Sequence, residues 1–272
     1  MKKILLSALT IFTIISCSGD DTTNNENSTS SLSKEIITSY YQGETTGKTI
    51  IEYSDGKITK ESNYNSSGTL NYYYSNTYNT NGALENSFIY DNDNNQVGMT
   101  KFYYDNLGRV IKREFDDNGT SYNKDITYNE DGTVTTIQSS NGAVTTYYIN
   151  ENNLVYKEVQ GNNMVEVEYD GFNPVSIMIN GTASTFSYHD TPAYANIKQG
   201  MFGSYKPNNV IQDGALDAYA QDFVTKYPYK TMSQNGTEKI RHEYIFNDTG
   251  LPVKRSSYYY GELEEETEYI YQ

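Results

Sequence analysis

From Glu35 onward the chain alternates stretches of roughly eight residues rich in Tyr, Thr, Val and Ile with short runs of Asn, Asp and Gly. Within some stretches the apolar positions fall at every second residue. Val165, Val167 and Tyr169 share one parity while Glu166 and Glu168 take the other, and Val175, Ile177 and Ile179 also share a parity. Period-two patterning predicts strands with one dry and one wet face. In Asn71-Tyr72-Tyr73-Tyr74 and Tyr258-Tyr259-Tyr260 tyrosine occupies both parities, so the pattern does not say which side is core.

The runs between strands repeat a phrase: an aromatic, then Asn or Asp, two further residues, glycine and an aliphatic. Tyr64-Asn65-Ser66-Ser67-Gly68-Thr69-Leu70 is one copy, and Tyr78-Asn79-Thr80-Asn81-Gly82-Ala83-Leu84 is the next. Further copies begin at Tyr104, Phe115, Tyr128 and Phe246, with looser ones at Tyr90, Ile149 and Tyr169. The Asn or Asp side chain accepts backbone N–H bonds from the turn ahead, and the glycine takes positive φ. The combination predicts hairpins closed by a type I turn with a bulge. Evenly spaced turns predict one antiparallel meander of about fifteen strands. Residues 191–229 break the rhythm and hold Pro192, Pro207 and Pro228. Ala215, Leu216, Tyr219, Ala220, Phe223 and Val224 follow helical spacing, with Asp213 as N-cap and Tyr227-Pro228 as stop. An amphipathic helix over Asp213 to Lys226, packed on the sheet, is therefore expected.

Composition changes this picture in two ways. The 272 residues carry a formal charge of −15, which excludes a nucleic-acid-binding face built from Lys and Arg. The apolar share of 36% includes 29 tyrosines. Without them it drops to about a quarter, well below ordinary globular chains, so tyrosine must supply much of the packing. After residue 16 no apolar run approaches the ~20 residues of a membrane-spanning helix.

The first sixteen residues read as a signal peptide, with Lys2 and Lys3 ahead of an apolar stretch from Ile4 to Ile15. Ile14-Ile15-Ser16-Cys17 resembles the bacterial lipobox, which implies lipidation of Cys17, the chain's one cysteine, and anchoring to a membrane. Ser18-Gly19-Asp20-Asp21 is similar to the acidic signal of surface-exposed Bacteroidetes lipoproteins. Thr22 to Ser33 is a polar tether. The expected organisation is signal peptide 1–16, lipidated cysteine and tether 17–33, and a single β-meander domain 34–272 with an insertion near 191–229.

The repeated phrases over Lys57 to Asp170 resemble the tyrosine–aspartate repeats of RHS-type shell proteins, whose β-meanders wrap into a hollow case. The whole layout resembles Bacteroidetes surface lipoproteins of unknown function, a resemblance that implies an outer-membrane, surface-exposed address and brings no catalytic residues. The expected fold is all-β and antiparallel, a curved sheet or half-barrel with one helix on it. That shape is similar to the half-barrel of periplasmic lipoprotein carriers, an analogy of fold alone.

Candidate chemistry is thin. His189 and His242 stand apart in the sequence and read as surface or packed imidazoles rather than metal ligands. Asp91-Asn92-Asp93-Asn94-Asn95 has the oxygens of a calcium loop, but Gln96 and Phe102 stand where the glycine and the glutamate belong, so it reads as a hairpin turn. No Gly-x-Ser-x-Gly or phosphate-binding loop occurs. Glu262, Glu264, Glu265, Glu266 and Glu268 read as a charged strand that protects an exposed sheet edge. Expected are no catalytic residues, no metal and no cofactor. Tyr194, Phe202, Tyr205, Tyr219, Phe223, Tyr227 and Tyr229 cluster in the non-repeating segment. They are the candidate ligand-binding residues, although the same aromatics would also suit the core of a helix-on-sheet packing. The expected role is binding or presentation of a glycan or an envelope protein. A lipid carrier is the alternative, and a polysaccharide hydrolase ranks third.

Overall fold

The computed structural model describes residues 31–117, 119–152, 154–171, 173–189 and 229–272. They form eighteen strands. The first six are β1 (Leu32–Tyr41), β2 (Glu44–Ser54), β3 (Lys57–Asn65), β4 (Leu70–Tyr78), β5 (Leu84–Asp91) and β6 (Gln96–Tyr104). Then come β7 (Val110–Asp117), β8 (Thr120–Tyr128), β9 (Thr133–Gln138), β10 (Val144–Ile149), β11 (Val155–Gln160) and β12 (Asn163–Asp170). The last are β13 (Asn173–Ile179), β14 (Thr182–Tyr188), β15 (Tyr229–Gln234), β16 (Thr237–Phe246), β17 (Pro252–Tyr259) and β18 (Glu262–Tyr271).

Every strand pairs antiparallel with its predecessor, and β1 pairs with β18 from Leu32↔Tyr271 to Ser39↔Glu265. The sheet is therefore a closed up-and-down barrel. This corrects the expected half-barrel of about fifteen strands: seam pairing between the first and last strands is invisible to local pattern. The expected helix at Asp213–Lys226 lies outside the described residues, among which no helix occurs. The glutamate-rich β18 is also not an edge, because it is bonded on both sides.

Cross-strand partners carry side chains on the same face, so the register assigns each residue to one of two walls. Thr100, Phe102 and Tyr104 connect through Arg113, Ile126, Val134, Tyr147, Val167, Ile177, Ile240 and Tyr269 to Glu35 and Ile51. All the buried apolar side chains, from Leu32 and Tyr53 through Val110 (0% exposed) and Ile177 (0%) to Tyr269, lie on this wall. It is the inner, concave one, where neighbouring side chains converge. Ser62, covered on the outer wall, is the exception among the buried polar residues.

The outer wall carries Lys48, Lys60, Lys101, Lys112, Glu114, Asp125, Lys157, Glu166, Arg241, Glu243, Lys254 and Glu266 within its strands. Several of these pair, including Lys112–Glu114 at 2.6 Å, Lys157–Glu166 at 3.0 Å and Lys254–Glu266 at 2.5 Å. A lysine or arginine facing lipid at the bilayer midplane costs about 2–4 kcal/mol.

The barrel has two rims. At one, β1 begins and β18 ends, and the Ser31 and Gln272 backbones exchange hydrogen bonds of 3.0 and 2.9 Å. The same rim holds the connections 79–83, 105–109 and 247–251, and β14 ends and β15 begins there. We call it the N-terminal rim. The far rim carries shorter turns, among them 42–43, 180–181, 235–236 and 260–261.

Candidate functional site

The repeating phrase builds most of its turns at the N-terminal rim and some at the far rim. In its loop, Asn79 Oδ1 accepts the backbone N–H groups of Asn81 and Ala83, both at 3.0 Å. The Gly82 N–H bonds the Asn79 carbonyl at 2.8 Å, with Gly82 at φ +78°. Asp105, Asn150 and Asn247 repeat the arrangement. Asn65 and Asp91 do so at the far rim. The Asp91 carboxylate also takes the Asn95 side-chain amide, which holds its pKa below the usual carboxylate range. It is committed to its turn rather than to a cation, and no grouping of three or more metal-ligating side chains occurs among the described residues.

The aromatic of the phrase does a second job. After such a loop the next strand opens with a register shift, as at Tyr78/Leu84 and Tyr104/Val110. Beyond the shift, pairing with the following strand starts two residues in, so the first carbonyl lacks a ladder partner. A tyrosine from the end of that following strand caps it. Tyr78 donates to the Ile58 carbonyl (2.7 Å), Tyr104 to Leu84 (2.6 Å) and Tyr128 to Val110 (3.1 Å). Tyr169 donates to Val155 (2.8 Å), Tyr188 to Pro174 (2.5 Å) and Tyr271 to Pro252 (2.6 Å). Burial pushes the Tyr104 and Tyr128 hydroxyls up to about 12, and those of Tyr78, Tyr169 and Tyr271 also upward. These tyrosines are the packing that the thin apolar composition lacked.

The inner wall is therefore graded. Near the N-terminal rim it is packed: Leu32, Tyr53, Val110, Val134, Tyr147, Val155, Pro174 and Pro252 are buried. There the Tyr53 hydroxyl donates to the Glu35 carboxylate at 3.0 Å, and burial with that neighbouring charge drives its pKa far up. Arg113 lies by the rings of Phe102 and Phe115 at 5.1 and 4.7 Å. Towards the far rim the wall turns polar and part-exposed, with Thr49, Asn63, Tyr72, Tyr74, Lys124, Gln138, Gln160 and Asn163.

His189 and His242, apart in the sequence, come together. His189 Nε2 is 3.4 Å from the His242 carbonyl, and its ring meets Tyr244 edge-on at 5.3 Å. His242 Nδ1 is 2.8 Å from Ser257 Oγ. That pairing has the elements of a nucleophile and its base. With His242 3% and Ser257 8% exposed, however, it sits in the packed wall out of a substrate's reach. Inward carboxylates are likewise engaged, Glu35 by Tyr53, Glu265 by Arg255, Glu61 by the Asn63 amide and Asp91 by the Asn95 amide.

Of the residues that the sequence singled out, Cys17, Tyr194, Phe202, Tyr205, Tyr219, Phe223 and Tyr227 lie outside the described residues. Tyr229 opens β15, its backbone paired with Tyr188. The part-exposed inner wall of β2–β5 was missed. Its signal, tyrosines on both parities of β4, is present in the sequence, but the inward parity is set by register with distant strands.

No protein-family model matches the chain, and no curated protein matches it. Solved structures do. A porin-like protein from Bacteroides uniformis is similar over 89% of this chain and 98% of its own, at 11% identity and a TM-score of 0.45. The Photorhabdus luminescens Tc holotoxin pore is similar over 89% of this chain and 13% of its own, at 11% identity and a TM-score of 0.22.

Proposed function

We propose that this chain is a non-catalytic binding barrel of the cell envelope, anchored in the outer membrane through lipidated Cys17 and displayed at the surface. The observation that carries the binding reading is the gradient of the inner wall, packed at one rim and solvated at the other. A tether leading to β1 arrives at the packed rim, so the solvated mouth points away from the membrane. The outer wall's alternating charges suit a barrel that stands in water beside the membrane rather than within it. A polar mouth favours a glycan or a protein loop as partner. A lipid carrier would need an apolar cavity, whereas amides, hydroxyls and Lys124 line this mouth. A hydrolase would need free convergent carboxylates, whereas Glu35, Glu61, Asp91 and Glu265 on this wall each already take a hydrogen bond or ion pair from a neighbour.

Fractionation of cells expressing the full chain tests the address. The wild type is expected with the outer membrane and open to protease added to intact cells, and Cys17→Ser is expected in the soluble fraction. Wild-type protein in the soluble fraction overturns the tethered reading. Thermal-shift titrations of the purified chain test the role. A melting temperature that rises with glycan or envelope-protein concentration supports binding. A rise with fatty acids or phospholipids alone overturns it in favour of a carrier.

A further inference from the structure

Resting on that binding reading, we propose that the inner wall of β2–β5 below the far rim is a saccharide subsite. In it the Tyr72 ring stacks on the apolar face of a neutral sugar ring, while Thr49, Glu61 and Asn63 take the sugar's hydroxyls.

Cations and neighbouring rings cover several of the barrel's aromatic faces. On the outer wall Tyr73 stacks on Tyr90 at 4.8 Å and lies under Lys60 at 4.3 Å. Tyr103 has Lys101 and Lys112 at 5.0 and 5.6 Å, and Tyr258 lies under Arg241 at 4.2 Å. At the far rim Tyr260 is covered by Lys239 at 4.1 Å. Tyr72 differs. It faces the lumen, is 39% exposed, and among the described residues its ring contact is with Tyr74, at 5.6 Å and 90°. An edge contact occupies at most one face of a ring, so among the described residues the other face is open.

The polar partners are already oriented. Asn63 is directly opposite Tyr72 in the ladder, with Thr49 beyond it on β2. The Thr49 hydroxyl donates to Asn63 Oδ1 at 2.8 Å, and Asn63 Nδ2 donates to the Glu61 carboxylate at 3.3 Å. The amide is thereby fixed with one N–H left to offer, and Glu61 keeps acceptor capacity beside it. Gly47 and Ser39, paired across β1 and β2 next to this group, present almost no side chain and leave room at the mouth. A ring face bounded by an amide, a hydroxyl and a carboxylate matches a sugar, whose rings are apolar on their faces and polar at their rims. An acyl chain there would strip water from all three polar groups without replacing their hydrogen bonds. Glu61, with Asp91 paired to Tyr72 on the other side, selects a neutral sugar over an anionic one.

The test uses the full chain with cellotriose and triacetylchitotriose as probes, followed by thermal shift and by NMR saturation transfer from the tyrosine rings. Saturable binding is expected for at least one probe. Tyr72→Ala is expected to weaken it about tenfold, as loss of an aromatic stack would. Tyr72→Phe should preserve it, Asn63→Ala should weaken it, and Tyr260→Ala on the same rim should leave it unchanged. If Tyr72→Ala fails to fold, Asn63→Ala carries the decision. Sugar binding that survives both Tyr72→Ala and Asn63→Ala overturns the subsite and leaves the binding barrel standing. If neither probe binds, the subsite is overturned, while the fractionation and partner titrations still judge the broader reading separately.

Discussion

The six tyrosine caps make the hydroxyl, rather than the ring alone, a structural requirement. Tyr128→Phe keeps the ring over the inner wall but leaves the Val110 carbonyl without its donor in a buried setting. Leaving a buried acceptor unmade costs about 1–3 kcal/mol. Chemical denaturation of Tyr104→Phe and Tyr128→Phe is expected to show losses in that range, whereas Tyr41→Phe, at an exposed position (65%), should be neutral. The same groups set the alkaline limit. A tyrosine in the unfolded chain ionises near 10, while burial raises Tyr104, Tyr128 and Tyr147 to about 12. The folded state thus holds these protons more tightly. Its stabilisation is complete below pH ~10 and is lost as pH rises through the folded values. Melting temperature should be flat with respect to these groups up to pH ~10 and fall between pH ~10 and ~12. Tyr104→Phe/Tyr128→Phe should show a shallower fall in that window, and an equally steep one would show that other groups set the limit.

Four hairpins of the N-terminal rim each hang on one side-chain oxygen, that of Asn79, Asp105, Asn150 or Asn247. Asn247 Oδ1 accepts the Thr249 N–H at 3.0 Å, the Thr249 hydroxyl at 2.7 Å and the Leu251 N–H at 2.9 Å. Asn247→Ala is expected to cost about 1–2 kcal/mol, and its exposed neighbour Asp248→Ala less than about 0.5 kcal/mol, both read by urea denaturation. Elements of this kind were legible in the sequence because they are local: the turn phrase fixes its own hydrogen bonds, and Val165, Val167 and Tyr169 do share the inner wall. The reading failed where a bulge intervenes. Val175 was grouped with Ile177 and Ile179, but the register shift opposite Glu168/Tyr169 leaves it 36% exposed while Ile177 is at 0%. A bulge adds one residue and reverses parity beyond it, so alternation carries across a strand only where pairing is regular. The candidate site was hidden for the same reason. Nothing near Tyr72 says that it faces inward, because its orientation follows from partners on β3 and β5.

Closure belongs to the whole molecule, and its consequence can be tested by moving the chain ends. The seam joins strands at opposite ends of the sequence, with the Ser31 and Gln272 backbones hydrogen-bonded to each other. In the folded barrel β18–β1 is one neighbouring pair among eighteen equivalent antiparallel pairs, distinguished only by the missing covalent turn. A chain in which a short Gly-rich linker joins Gln272 to Ser31, opened instead at the exposed far-rim turn between β11 and β12, should keep every pairing. Termini that lie close together at a surface make such permutation tolerable. The permuted protein is expected to show the same far-ultraviolet circular dichroism and one cooperative melting transition close to that of the parent. Deletion of β18 from Glu262 onward should abolish the cooperative transition, because it exposes both β17 and β1 as unpaired edges and uncovers Glu35 and Leu32 on the packed wall. A deletion variant that melts like the parent would mean that the seam is dispensable and the barrel does not fold as a closed unit.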